Sequence, residues 1–195
     1  MQDWEAGDEV VVAPAASCGA CEACRNGRDN QCRSYHIRGE SMDGVAAEYI
    51  AVSTRYVFRK PANLSHAQAA ASLLAPLTAW HMLMGRAKLT RGESVLIHAG
   101  ASGVGSAAIQ IAKMAGAKVF ATAGTDQKVE LALKLGADEA CNYATESFPS
   151  KVRQWSEKRG VDVVFEHVGK ATWDQSLRCL AWGGRLVTMR CNDRT

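Results

Sequence analysis

From Ser94 onward the chain alternates short apolar runs with stretches of helical periodicity. Strand 94–98 leads to helix 104–115, and strand 118–122 leads to helix 126–135. A short strand near 139–142 precedes helix 147–158, strand 162–165 precedes helix 171–180, and strand 185–189 follows. Alternation at this pace predicts an α/β fold, a doubly wound parallel sheet covered on both faces. The earlier residues read differently. The stretch 8–13 is a short strand after a Gly7-Asp8 turn, and 44–52 is a second strand. Between them, residues 18–32 are rich in Gly, Asn and Arg, have no period and form a loop. Pro61 and the residues after it interrupt the pattern, and Ser65 is the expected N-cap of an Ala-rich helix. A second helix is expected over 76–86. The domain boundary is placed here, giving 1–66 and 67–195.

Composition narrows the class. The chain has 195 residues, 47% hydrophobic and 22% charged, as in soluble globular proteins. The net charge of +3 is spread along the chain and leaves no electrostatic footprint for nucleic acid. No apolar run is long enough to span a bilayer. The opening residues lack the basic-then-apolar pattern of a secretory leader, so the expected location is the cytoplasm, where thiols stay reduced.

Four of the seven cysteines are clustered: Cys18, Cys21, Cys24 and Cys32, spaced C-x2-C-x2-C-x7-C. Thiolates this close can converge on one tetrahedral ion, and the geometry favours zinc. A site with four protein ligands has no open position, so it is structural and carries no reaction. The alternatives are a disulfide pair, which needs an oxidising compartment, or unrelated thiols. Arg25, Arg28 and Arg33 lie within the lobe and are placed to offset its negative charge. Cys141, Cys179 and Cys191 are scattered.

A second motif, Gly100-Ala-Ser102-Gly103-Val104-Gly105, joins an apolar strand to a helix opened by small residues. Backbone approaching a pyrophosphate has no room for a Cβ, and the helix N-terminus offers N–H groups and a positive dipole end. Ser102 stands where the usual dinucleotide fingerprint has its second glycine, and Gly103 supplies an extra one. The plainer reading is a turn that only packs helix on sheet. An NAD site usually presents an acid at the end of the next strand; here Ala123 and Gly124 stand there. Thr125 and Lys128 are placed to receive a 2′-phosphate, which favours NADP(H) over NAD(H), although a lysine in a first helical turn is commonly just solvated. Asp126 reads as an N-cap or first-turn acid.

Together these pieces resemble the medium-chain dehydrogenase/reductase superfamily: Gly7-Asp8-Glu-Val-Val-Val, the cysteine lobe, Glu48-Tyr49, Leu77-Thr78-Ala79-Trp80, the glycine turn, Lys134-Leu-Gly-Ala-Asp138, Asn142-Tyr143 and Gly183-Gly184-Arg185. The resemblance covers nearly the whole chain. It implies a Rossmann domain at 67–195, lacking its last strand, and at 1–66 part of a GroES-like β-rich domain carrying the zinc lobe 18–32. It also implies a chain incomplete at both ends, without the segment bearing the family's catalytic cysteine. Met189-Arg190 replaces a glycine-containing turn usual there. Leu74 and Ala75 occupy the positions where zinc-catalytic members carry a ligand, which argues against a catalytic zinc. The form of the turn is similar to the quinone oxidoreductase branch, in which Lys128 and Tyr143 would hold the 2′-phosphate; a partly buried aromatic closing a strand is the plainer role for Tyr143. Thr78 and Val104 would lie by the nicotinamide, and Val168 and Gly169 would line the groove through their backbone. His167 would neighbour the cofactor without acting as an acid. His66 and His81 match no ligand position, and no catalytic residue is assigned.

The implied activity is NADPH-dependent hydride transfer to a quinone, enal or related carbonyl compound, with structural zinc only. The rivals are a zinc-dependent NAD(P) alcohol dehydrogenase and a truncated fragment that binds zinc and nucleotide without turnover. Neither a nucleic-acid nor a membrane partner is implied; a homodimer is expected of the full-length protein.

Overall fold

The computed structural model describes residues 4–189, and the chain divides into two compact units, Met1–Leu74 and Ala75–Thr195. The Met189-Arg190 turn and Cys191 extend outside the described residues.

In the first unit, β1 (Val10–Val12) pairs antiparallel with β4 (Val57–Arg59), and β2 (Ala15–Ala16) with β3 (His36–Ile37). A single turn of helix, α1 (Glu22–Arg25), sits inside the cysteine lobe. α2 (His66–Ala71) begins at Ser65 with a capping box: the Ser65 hydroxyl accepts from the Gln68 amide at 3.2 Å, and the Ser65 amide donates back to Gln68 Oε1 at 2.9 Å. The strand expected over 44–52 does not form. A strand exists only through ladder bonds to a neighbour, and no described segment pairs with this one. Its apolar side chains stay outside, with Tyr49 90% exposed.

The second unit opens with α3 (Ala75–Trp80), which continues as a single π-helical stretch, His81–Arg86, where one continuous helix was expected. A five-stranded parallel sheet follows, built from β5 (Ser94–Ile97), β6 (Lys118–Ala123), β7 (Glu139–Asn142), β8 (Val161–Glu166) and β9 (Leu180–Thr188). Its order is β7-β6-β5-β8-β9, and every pairing is parallel. The connections are α4 (Gly103–Met114), α5 (Asp126–Lys134), α6 (Phe148–Trp155) and α7 (Trp173–Arg178). β9 is longer than the expected strand 185–189, because a register shift opposite β8 absorbs the extra residues around Gly183-Gly184.

Successive residues on the central strands serve opposite faces. Ile97, Val119 and Phe165 join one core cluster with Leu83 and Ile109, while Leu96, Phe120 and Val164 join the other with Phe148 and Val152. Burial on both faces explains why these strands read as continuous apolar runs. The strand order reverses direction at β5, whose neighbours are β6 and β8, so the carboxyl end of β5 is the topological switch point where such sheets bind ligands.

Candidate functional site

The glycine turn leaves β5 at that switch point. The Gly100 amide donates to Thr122 O at 2.8 Å and the Ser102 amide to Ala99 O at 2.8 Å, folding the turn back on itself. Ser102 caps α4: its hydroxyl accepts from the Gly105 amide at 3.0 Å. The position that departs from the usual glycine fingerprint is thus occupied by a good N-cap. A Cβ on Gly105 would collide with the carbonyl oxygen of Ala99 and lie 2.9 Å from its carbon. By helix geometry the first-turn amides of Gly103 and Val104 have no intrahelical acceptor and form a donor site for an anion. Val104 packs partly against the core, and the half-buried Thr78 lies on α3, which packs on α4.

Beside the turn is a cleft of about 110 Å³ lined by Ala99, Ala101, Ser102, Ala123, Gly124, Lys128 and Tyr143. Lys128 and Tyr143 come from different connections and meet here because β6 and β7 are adjacent in register, Ala123 opposite Asn142. The Tyr143 hydroxyl lies over Gly124, where a Cβ would stand 2.7 Å from it. Thr125 is the N-cap of α5, accepting from the Lys128 amide at 3.3 Å, so its hydroxyl is engaged with the helix end. Asp126 is the first residue of α5 and accepts from Asn142 Nδ2 at 2.7 Å, which ties its carboxylate to β7. Among the described residues, no carboxylate lines the cleft.

On the other side of β5, the β8 strand ends in Glu166, which is fully buried. Its Oε1 accepts from the amides of Val168 (2.8 Å) and Gly169 (3.1 Å), and its Oε2 accepts from Thr172 Oγ1 (2.9 Å) and Ser176 Oγ (2.6 Å). Burial pushes the Glu166 carboxyl up, but these hydrogen bonds and the nearby His98 outweigh it and hold it below its ordinary value. His98, 1% exposed, directly follows β5; its Nε2 is 2.9 Å from Ser176 Oγ and its Nδ1 is 3.0 Å from Thr122 Oγ1. Burial lowers the His98 pKa to about 4 against the pull of Glu166, so the imidazole is neutral at pH 7. His167 Nε2 reaches the His98 carbonyl at 2.7 Å. Neither Glu166 nor His98 was singled out from the sequence. The available signal was a polar residue directly after each of two apolar runs, Val95–Ile97 and Val163–Phe165.

In the first unit, the ligand atoms of Cys18, Cys21, Cys24 and Cys32 all lie within 4.8 Å of one another. The Cys21–Cys24 and Cys18–Cys24 sulfurs are 3.5 and 3.9 Å apart. Zinc–sulfur bonds of about 2.3 Å in a tetrahedron put the sulfurs about 3.8 Å apart, so the donor set fits that ion. Amides of Ala20 and Cys21 draw the Cys18 thiol down to about 6, toward the thiolate a metal requires. Arg25, Arg28 and Arg33 are exposed. Arg33 lines a cleft with Cys18, Cys21 and Cys32, and Arg55 is brought onto the lobe from outside it: it lies against Gly19 and donates to Asp29 at 2.7 Å, and Asp29 in turn accepts from Ser17 at 2.7 Å.

Comparison with known proteins agrees with both halves. Residues 1–62 match the alcohol dehydrogenase GroES-like domain, and residues 103–189 match the zinc-binding dehydrogenase family. The chain is 41% identical over 128 residues to quinone oxidoreductase 1 of Escherichia coli, a match covering 66% of this chain and 39% of that protein. It is 39% identical over 158 residues to the phthioceranic/hydroxyphthioceranic acid synthase of Mycobacterium tuberculosis, covering 81% of this chain and 7% of that one. Among solved structures, an NAD-dependent alcohol dehydrogenase superposes with a TM-score of 0.92 at 43% identity, covering 95% of this chain and 54% of that one. The chain therefore spans about half or less of the length of these relatives. No helix among the described residues is long and apolar enough to cross a membrane. The segment that holds the cysteine lobe and the segment that holds most of the parallel sheet thus each match a domain of one family, and the chain belongs to the medium-chain dehydrogenase/reductase superfamily.

Proposed function

We propose that this chain serves an NADPH-dependent reductase of a quinone, enal or related carbonyl compound, with zinc held only in the cysteine lobe. The observation that carries this reading is the cleft beside the glycine turn. It joins Ser102, Lys128 and Tyr143 without a carboxylate, and the acid that would bind a free ribose 2′-hydroxyl is absent from the end of β6. Lys128 offers a cation and Tyr143 a hydroxyl to a 2′-phosphate; Thr125 fixes the start of the helix that presents Lys128. Gly103, Val104 and Gly105 accommodate the pyrophosphate, Thr78 and Val104 flank the nicotinamide, and Val168 and Gly169 line the groove.

The bound nucleotide supplies the hydride, and the chain's own part is binding and orientation. Leu74 and Ala75 carry no metal-binding atoms, which supports a reaction without catalytic zinc. The units 1–66 and 67–195 are read as part of a GroES-like domain and a Rossmann domain.

The test is nucleotide choice. Lys128→Ala should weaken NADPH binding about tenfold or more, the loss of one charge-assisted contact of about 1.5–3 kcal/mol, and leave NADH binding unchanged. Equal NADPH affinity in wild type and variant would overturn the assignment. A second reading, a zinc-dependent NAD(P) alcohol dehydrogenase, has in its support the likeness to a solved NAD-dependent alcohol dehydrogenase over 95% of the chain. It predicts two tightly held zinc ions per chain in the full-length protein and a preference for NAD(H).

A further inference from the structure

The proposed reading leaves unused the buried polar cluster of His98, Thr122, Glu166, Thr172 and Ser176. Its members are separated by up to 78 residues in sequence, yet they meet at the carboxyl ends of β5, β6 and β8, with Ser176 reaching in from α7. Such a cluster is costly to bury unless every group is paired, and here the pairing is complete. An ionised carboxylate only accepts, so all four donors point at Glu166: two amides on one oxygen and two hydroxyls on the other. Because Ser176 gives its proton to Glu166, its oxygen accepts from His98, which assigns the proton to His98 Nε2. His98 Nδ1 then accepts from Thr122. One tautomer satisfies the whole chain of bonds, and that assignment follows from the network.

The geometry also shows what the cluster holds. The Glu166 carboxylate turns the amides of Val168 and Gly169 inward. The Gly169 carbonyl accepts from the amides of Thr172 and Trp173, both at 3.0 Å. Gly169 itself has φ +96°, a backbone conformation that other residues rarely adopt. His167 is tied to the carbonyl of His98, two residues before Gly100 of the glycine turn. The loop after β8 is therefore braced to the turn after β5, across the switch point.

We infer that Glu166 is a positioning residue: through His98, Ser176 and Thr172 it sets the Val168–Gly169 loop against the glycine turn and so fixes the part of the groove that receives the nicotinamide half of the dinucleotide. This rests on the proposed nucleotide reading. The adenosine half belongs to the Lys128–Tyr143 cleft on the β6 side, and Glu166 stands on the β8 side of β5. The two halves of one ligand are thus governed by different residues, and each can be perturbed alone.

The experiment compares the affinities of the protein for NADPH and for 2′,5′-ADP, which carries the adenosine and its 2′-phosphate but no nicotinamide. Glu166→Ala is expected to weaken NADPH at least tenfold while 2′,5′-ADP binding stays within about twofold. Glu166→Gln keeps one acceptor oxygen for the Val168 and Gly169 amides, and its NH2 group can donate to Thr172 and Ser176 once Ser176 turns its proton to His98 Nε2 and His98 takes the other tautomer, so it should restore most of the NADPH affinity. A residue with only a general structural role would weaken both ligands together, and that result overturns the inference, as does unchanged NADPH binding in Glu166→Ala. If Glu166→Ala does not fold, Thr172→Val carries the test. It removes one rim donor from Oε2 and should lower the NADPH affinity several-fold with 2′,5′-ADP unaffected; no change, or an equal loss in both, is the overturning outcome. Failure of the nucleotide reading is separate and visible first: the wild-type protein would then bind 2′,5′-ADP no better than 5′-AMP.

Discussion

Two glycines of the same turn should respond in opposite directions to the same added methyl group. At Gly105 the new Cβ meets only backbone: the Ala99 carbonyl oxygen inside van der Waals contact, the Ala99 carbon at 2.9 Å and the Gly100 Cα at 3.0 Å. These atoms cannot swing aside as a side chain would. Gly100 is anchored to Thr122 O and Ser102 to Ala99 O, and Ala99 is already held at φ 45°. Forcing a methyl into such a site costs about 1–3 kcal/mol. At Gly103 the added Cβ would sit 3.5 Å from the Ala75 Cβ, an ordinary contact, in the first turn of α4. There the reduced freedom of the unfolded chain should stabilise by up to about 1 kcal/mol. Gly105→Ala and Gly103→Ala should therefore differ by roughly 1–4 kcal/mol, and at about 2–4 °C per kcal/mol for a chain of this size their melting temperatures should separate by about 2 °C or more. Urea denaturation followed by circular dichroism, with thermal melts alongside, measures both. Equal stabilities, or Gly105→Ala the more stable, would refute the steric argument and with it the claim that this position must lack a Cβ.

Metal analysis of the purified protein should find zinc retained through dialysis, and Cys24→Ser should lose it; a protein that retains no zinc would remove the closed-site reading of the lobe. Tyr143→Phe should weaken NADPH but not NADH by a few-fold and leave stability unchanged, since the side chain is half exposed and its hydroxyl has no protein partner among the described residues; equal effects on the two nucleotides in a binding titration would count against the 2′-phosphate role. Acid stability should depend on Glu93, whose carboxyl is drawn down to about 2 by the Arg185 guanidinium, bonded at 2.8 Å to both oxygens. A depressed folded-state pKa contributes stability that is present above the unfolded value of about 4.5 and is lost as pH falls toward about 2. Denaturation midpoints measured between pH 5 and pH 2 should thus fall less steeply in Glu93→Gln than in wild type, and parallel curves would contradict this.

Residues 94–142 show how much local pattern can carry. Continuous apolar strands, a glycine turn and a capped helix are each written within a few neighbouring positions, and β5, α4, β6, α5 and β7 form close to where periodicity placed them. The thiolate lobe is equally local: its first three cysteines lie within seven residues. The 44–52 segment marks the limit. Its mostly apolar run suits a strand, but ladder bonds come from a partner elsewhere in the chain, and no described segment supplies one. β9 exceeds its expected span for a related reason, because its register with β8 shifts around Gly183-Gly184 and pattern alone carries no register.

By itself, then, the sequence determined the elements and their class, the thiolates that can share one metal ion and the turn that can meet a phosphate, because each depends on residue type and short spacing. Only the tertiary structure decided that Arg55 is brought onto the lobe from outside it, that Lys128 and Tyr143 face one cleft, and that His98 and Glu166 share a buried network. Burial and hydrogen-bond completion belong to groups brought together from distant parts of the chain. A histidine or glutamate at the end of an apolar strand does not reveal its partners until the sheet order places β5 beside β8.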